Sequence, residues 1–385
     1  MAPGRQPDGR AVRAGWLVVA AAFLLAACPV AAAAPASDLA AEARGLAEAA
    51  KRHYGEGYVT RIDNTRHVVY VSAVDAQVLD RVMTLLGEYA DAQGLLLFPN
   101  ALPWNMTVVL PTVDDYRRSM PLSRAVGRYE NATRTLESIS VSDVLFHEFT
   151  HGLHHGDQVA AGQRHAPWVV EGLASLFQRC TVRKGRIEVQ PGSDLVALQD
   201  AVRDKKVHPL TELAAMDHKT FMEDAATCYM QARYVMFQLY REGKLRAFYE
   251  IYKADYVADP TGMKSLAKTL GKPIKDVDAD WRRWVLAQEP PWTPARPPKA
   301  HLGVRMGPAD GGVRVTGFAP GSAAERAGVL KVNDVIISVA GQATPASRDI
   351  VFAVQLCQPG QTVDIEVIRD GRAMTVRQLL GHMME

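Results

Sequence analysis

The chain has 385 residues, 48% of them hydrophobic and 22% charged, which places it among soluble globular proteins with room for two or three domains and excludes a disordered or fibrous chain. Its formal net charge is +2, and residues 1–28 carry the whole excess through Arg5, Arg10 and Arg13 against Asp8. The remainder is neutral and shows no basic footprint for nucleic acid.

The N-terminus reads as an export signal. A basic stretch is followed by the apolar run Trp16 to Ala27, which is shorter than the roughly 20 residues a membrane-spanning helix needs. Two processing outcomes are open. Leu25-Ala26-Ala27-Cys28 resembles the bacterial lipobox, in which Cys28 is lipidated and becomes the new N-terminus, and this is the favoured outcome. The Ala-rich run to Ala36 equally suits ordinary signal peptidase, and an uncleaved anchor is the least favoured alternative. Each outcome implies a protein of the exported bacterial cell envelope: lipoprotein, periplasmic or secreted.

Beyond the signal, Asp38 to His53 reads as an Ala-rich helix. Tyr58 to Ile62 and His67 to Ser72 alternate like strands around an Asp63-Asn64 turn, Ala76 to Gln93 is helical and Asn105 to Leu110 is a strand. Gly127 to Glu130 and Thr135 to Ser140 read as strands just ahead of His147-Glu148-Phe149-Thr150-His151. On a helix, histidines four residues apart lie on one face and reach one metal ion, with Glu148 beside them. Neutral imidazole suits zinc, a third protein ligand leaves a fourth position open to water, and Glu148 is then the candidate general base. Ser140 and Asp143 have capping-box spacing, and Gly152 and Gly156 can end the helix. The third ligand has two contenders. Asp157 stands six residues after His151, with His154 midway where a turning glycine would be needed; Glu171 stands twenty residues after His151 and begins a second helix behind Pro167.

Together with Trp168-Val169-Val170-Glu171-Gly172-Leu173-Ala174, the His147 motif resembles the gluzincins, in particular the peptidase-MA-like group with its H-E-[FY]-x-H and W-x-x-E-G-x-A signature. The resemblance runs from about Ser37 to Gln288, with specific motifs only at 147–177. It implies a zincin-like catalytic domain at 37–288, Zn2+ as cofactor and Glu171 as the third ligand with His147 and His151. It also implies that the last strand before the metal helix is a sheet edge that pairs with extended substrate. Tyr229, in Cys228-Tyr229-Met230-Gln231-Ala232, matches the family's oxyanion donor, with Tyr234 and His218 in reserve; a core tyrosine on the helix from about Ala225 to Tyr240 is the competing reading. Gly127-Arg128-Tyr129-Glu130-Asn131 only weakly matches an aminopeptidase's amine-binding G-x-M-E-N, so endo- and aminopeptidase both stay open. A hairpin around Lys184-Gly185 and helices to Trp284 complete the domain. Cys180 and Cys228 are a plausible disulfide pair or two buried thiols, and Cys357 reads as core.

Residues 289–299 hold five prolines in eleven positions, cannot sustain helix or central strand, and form a linker. From there to residue 385, His301-Leu302-Gly303-Val304, Pro320-Gly321-Ser322-Ala323-Ala324, Ala327-Gly328-Val329 and Val332-Asn333-Asp334-Val335-Ile336 resemble PDZ domains of bacterial envelope proteases. The resemblance implies that Leu302, Gly303 and Val304 meet the C-terminal carboxylate of a peptide; a small β-domain that merely packs against the rest is the alternative. The fold expected is α+β: a mixed sheet and helices, a helical subdomain, then a small β-rich domain. The function expected is an exported zinc metallopeptidase with a module for substrate or partner peptides and no nucleic-acid partner. The alternative is a non-catalytic envelope adaptor that uses a zincin-like scaffold and the PDZ domain for protein binding.

Overall fold

Val68-Val69-Tyr70-Val71 is β-branched or aromatic throughout and has no exposed residue on either face, so it forms an interior strand of a covered sheet. The computed structural model describes residues 36–99, 102–119, 125–192, 194–290 and 299–383. The export signal with Cys28, and residues 291–298 of the Pro-rich linker, lie outside the described residues. In chain order the first layer is α1 (Ala36–Tyr54), β1 (Val59–Asp63), β2 (Val68–Ser72), α2 (Ala76–Leu96), β3 (Met106–Leu110), α3 (Val113–Ser119), β4 (Gly127–Glu130) and β5 (Thr135–Ser138). The sheet order is β1-β2-β3-β5-β4, parallel across β2-β3-β5 and antiparallel at both ends. One expectation is corrected here. The last strand before the histidine helix, β5, is paired on both sides, and the sheet edge is its hairpin partner β4.

The histidine helix α4 (Asp143–Ala160) lies against β4 and β5, and α5 (Pro167–Phe177) packs back on α4. No capping box forms: Ser142 is the N-cap without a side-chain bond, the Ser140 hydroxyl donates to Ser142 Oγ at 2.7 Å, and Asp143 receives Arg179 Nε at 2.8 Å. Gly152 and Gly156 do not end the helix. They lie inside it, and a Cβ on Gly152 would overlap the Met106 sulfur of β3, so the residue type follows from close packing on the sheet.

A hairpin of β6 (Cys180–Arg183) and β7 (Arg186–Val189) leads to α6 (Asp194–Arg203), α7 (Leu210–Ala215), α8 (His218–Glu223), α9 (Ala225–Arg241), α10 (Leu245–Asp255), α11 (Met263–Leu270) and α12 (Ile274–Ala287). The main core joins both layers, from Val68 and Leu145 to Phe237, Tyr252 and Trp281. Of the two readings left open, Cys180 and Cys228 are free thiols rather than a disulfide, and Cys228 Sγ faces Met216 Sδ at 3.7 Å. No helix among the described residues is long and apolar enough to cross a membrane.

The C-terminal part is β-rich: β8 (Lys299–His301), β9 (Val304–Ala309), β10 (Gly312–Phe318), α13 (Ala323–Ala327), β11 (Val335–Val339), β12 (Gln342–Ala343), α14 (Ser347–Gln355), β13 (Thr362–Arg369), β14 (Arg372–Leu379) and β15 (Gly381–Met383). Its main sheet runs β14-β13-β11-β10-β9 around its own core, with β9 at the edge. Helix α14 also seats this part on α2: Phe352 enters the main core, Arg348 Nη2 donates to Ala73 O at 2.8 Å and Arg81 Nη2 to Leu356 O at 3.4 Å. Cys357 is half-buried at the margin of the smaller core rather than inside it, its thiol on Ala353 O at 3.2 Å. The chain is thus a mixed α+β protein with a large helical part and a separate β-rich C-terminal part.

Candidate functional site

One helical turn separates His147 from His151, so their rings meet edge to face along the buried face of α4, centroids 4.6 Å apart. Their Nε2 atoms stand 3.0 Å apart, and each is 3.4 Å from Glu171 Oε2. All three side chains are at most 3% exposed. His147 Nδ1 faces Gln178 Oε1 at 3.1 Å. An amide oxygen only accepts, so Nδ1 carries a proton and Nε2 is the nitrogen turned toward Glu171. Gln178, the C-cap of α5, is a site residue that sequence reasoning missed; the only signal was its place seven residues after Glu171, on the same face of the helix.

Glu171 reaches the histidines because the loop between the helices is pinned. Ala166 N donates to Tyr252 OH at 3.1 Å, His165 N to Gln158 Oε1 at 2.8 Å, and Trp168 Nε1 to Thr261 O at 2.8 Å. The Trp and Pro of the motif therefore start and anchor α5, and the carboxylate falls one turn inside it. Burial opposes the charge on Glu171, but His151 and His147 outweigh it and hold the carboxyl well below its usual range. Glu148 is fully buried beside them. Burial pushes it up to about 7, with His147 opposing the rise and Glu171 reinforcing it. Neither oxygen of Glu148 or Glu171 has a hydrogen-bond partner among the described residues. A carboxylate buried as deeply as Glu148 without a hydrogen-bond partner, beside one met only by two histidine nitrogens at 3.4 Å, is costly, which marks the place as built for something besides packing.

Tyr229 joins the group from α9. A Cβ on Gly172 would stand 2.9 Å from Ala232 O, so this glycine lets α5 and α9 touch along their backbones. The Tyr229 ring centroid comes to 6.1 Å from that of His147. Burial, then the charges of Glu171 and Glu148, raise its hydroxyl well above the ordinary value and keep it protonated; the hydroxyl lies beside Glu171 and donates to Met222 Sδ at 3.9 Å. The reserves are elsewhere. Tyr234 OH accepts from Gly192 N at 3.0 Å and donates to Gly192 O at 3.3 Å, a structural role, and His218 begins α8.

Asp157 does not face the histidine pair. Its carboxylate receives Tyr249 OH at 2.7 Å and Lys253 Nζ at 2.7 and 2.8 Å, so it is committed to tying α4 to α10. The Gly127 segment forms edge strand β4, whose Tyr129 OH meets His155 Nδ1 at 3.0 Å and whose Tyr129 backbone N–H lies near Glu148.

In the C-terminal part, Leu302 is buried, Gly303 has φ +78° and Val304 opens edge strand β9. Gly303 O accepts from Ala319 N at 2.9 Å and Ser322 Oγ at 3.1 Å, and a Cβ on Gly303 would overlap Ser322. Glycine is required there by both conformation and space. Strand β9 lies alongside α14 with its outer edge unpaired among the described residues, the arrangement into which an extended peptide adds as a further strand.

Residues 300–379 match the PDZ domain family, so the β-rich C-terminal part is a PDZ domain. Similar solved structures include an HtrA-type protease, AlgW, with a tripeptide, at 25% identity over 22% of this chain and 32% of that one with a TM-score of 0.21. The same protease with a decapeptide aligns at 20% identity over 28% and 35% of the two chains with a TM-score of 0.22. A serine endoprotease from Yersinia pestis aligns at 17% identity over 28% and 36% with a TM-score of 0.21. This chain spans about a third of the length of those proteins, and at such scores their catalytic chemistry is not carried over to it.

Proposed function

We propose that the chain is an exported zinc-dependent metallopeptidase of the gluzincin type, with a zincin-like domain at 37–288 and a PDZ domain that binds the C-terminus of a substrate or partner. The observation that carries this reading is the convergence of His147, His151 and Glu171. Ligand atoms about 2.0–2.1 Å from a tetrahedral zinc ion stand roughly 3.3 Å from one another. The separations here are 3.0, 3.4 and 3.4 Å, and both Glu171 oxygens lack a hydrogen-bond partner among the described residues, so the donor set fits such an ion. Zinc held there would polarise a carbonyl and lower the pKa of water toward neutrality.

The chain's own residues supply the rest. Gln178 holds His147 in the tautomer whose Nε2 is a free donor of electrons. Glu148 takes the proton as water adds to the peptide carbonyl carbon, and returns it to the amine as the C–N bond breaks. Tyr229, held protonated against the site, donates to the oxyanion that develops on the carbonyl oxygen. Strand β4 offers an edge on the Glu148 side along which an extended substrate can pair. The N-terminal signal, with lipidation at Cys28 favoured, assigns the enzyme to the bacterial envelope.

The test is Glu148→Gln. It should keep its zinc and lose turnover of a peptide substrate by a factor of about 100 or more, the usual cost of removing a general base. Turnover close to wild type in the zinc-loaded variant sinks the assignment.

A further inference from the structure

A second group of metal-ligating side chains lies in the turns around α7, α8 and the start of α9. His208 precedes α7, Asp224 is the N-cap of α9, and Cys228 stands one turn inside that helix. One ligand atom from each lies within 4.8 Å of the other two. Asp224 and Cys228 are four residues apart and share a helix face. His208 Nε2 is 3.1 Å from Asp224 Oδ2, while its other nitrogen, Nδ1, faces Glu212 Oε1 at 3.4 Å. A carboxylate on the far nitrogen is the partner that metal-binding histidines commonly have, since it orients the ring and leaves the near nitrogen as a donor.

Two further features separate this group from a chance surface ion pair. The main chain of His208 is clamped: its N–H donates to Gln231 Oε1 at 2.8 Å, and its carbonyl accepts Gln231 Nε2 at 2.9 Å and Arg282 Nη2 at 3.1 Å. Gln231 is fully buried and lies three residues beyond Cys228, so the helix that carries the thiol also positions the imidazole. The thiol itself is fully buried and points at another sulfur, Met216 Sδ, whereas the His208 and Asp224 side chains are 23% and 48% exposed. The inner ligand is therefore soft, and an ion has a path from solvent.

The geometry points to a second metal site in which His208, Asp224 and Cys228 hold one divalent ion of the zinc class, with Glu212 behind the imidazole. Sulfur, nitrogen and oxygen donors in one set suit zinc over magnesium or calcium. Such an ion would tie the loop before α7 to the first turn of α9, the turn that carries Tyr229.

Cobalt(II) titration of the chelator-stripped full chain tests this without reference to activity. Only a site containing a thiolate gives a thiolate-to-cobalt charge-transfer band in the near ultraviolet, and the cluster of His147, His151 and Glu171 has no sulfur. With two equivalents of cobalt, enough for both sites, the wild type should show the band, keep it in His151→Ala, and lose it in Cys228→Ser and in His208→Ala, whose side chain is partly exposed. Zinc content should fall by one equivalent in the same two variants. Cobalt bound by the wild type without that band, or a band that survives Cys228→Ser, overturns the site. If instead the band behaves as expected while His151→Ala loses no metal, the second site stands and the catalytic zinc reading fails.

Discussion

The two halves of α4 are built from the same residue types and serve opposite ends. In the first half, Glu148 and the facing Glu171 are buried without hydrogen-bond partners among the described residues, beside two histidines whose Nε2 atoms point at each other. In the second half, Asp157 is just as buried but holds Tyr249 and Lys253, and His154 Nε2 meets His165 Nδ1 at 2.8 Å. Burial and composition alone do not separate the halves. What separates them is whether the carboxylates are satisfied: a partnered acid fastens helices together, whereas an acid left without a partner beside converging lone pairs is held ready for something outside the chain.

The sharpest way to break that comparison is to remove one acid from each half. Glu171→Ala should cost the chain its zinc at the histidine pair, because two imidazoles remain, and lower peptide turnover with it. Asp157→Asn should leave zinc stoichiometry unchanged and lower unfolding stability by about 2 kcal/mol, the scale of a hydrogen bond to a charged group. Metal analysis and urea unfolding of both purified variants decide it, and a loss of zinc in Asp157→Asn with retention in Glu171→Ala would reverse the roles given to the two halves.

A smaller effect concerns how the first half is assembled. Gly172→Ala places a methyl against Ala232 O and should separate α5 from α9 at a cost of about 1–3 kcal/mol, as overpacking does. Since α5 carries Glu171 and α9 carries Tyr229, turnover should fall while the zinc proposed at His147, His151 and Glu171, whose ligands lie on α4 and α5, stays bound. Wild-type thermal stability in this variant would show that the backbones are not in contact.

A pH dependence belongs to the second half. Burial lowers His155 to about 4 and His165 to about 3, from the usual 6.5. Below 6.5 the unfolded chain binds protons at these rings and the native chain does not, so stability rises with pH in this range and is lost as pH falls from 6.5 toward 4. Urea midpoints of the chelator-treated protein should drop over that interval, and His155→Gln should flatten part of the slope. A midpoint independent of pH between 6.5 and 4 would mean that these rings already titrate in the native state.

Much of the site was legible because helical spacing is local. Residues four apart on a helix share a face whatever surrounds them, so His147, Glu148 and His151 could be placed beside one another from the sequence, and Glu171 followed from the Trp168 to Ala174 pattern. Gly152 and Gly156 were read as helix ends because a glycine's local role is to stop a helix. Their actual role, letting α4 sit on Met106 and Leu102, depends on residues about fifty positions away. Gln178 went unseen for the same reason: an amide is a site residue only by virtue of the ring it meets.

By itself the sequence determined the elements, the pairing of two histidines with an acid on one helix face and the PDZ pattern, since each rests on periodicity or on a contiguous motif. Only the tertiary structure decided which strand is the sheet edge, that Cys180 and Cys228 stay unpaired, and that α14 seats the PDZ domain on α2 through Arg348 and Phe352. The physical reason is the same in each case. A backbone conformation is set by neighbours along the chain, but the partner of a side chain or a strand edge is set by whichever distant surface buries against it.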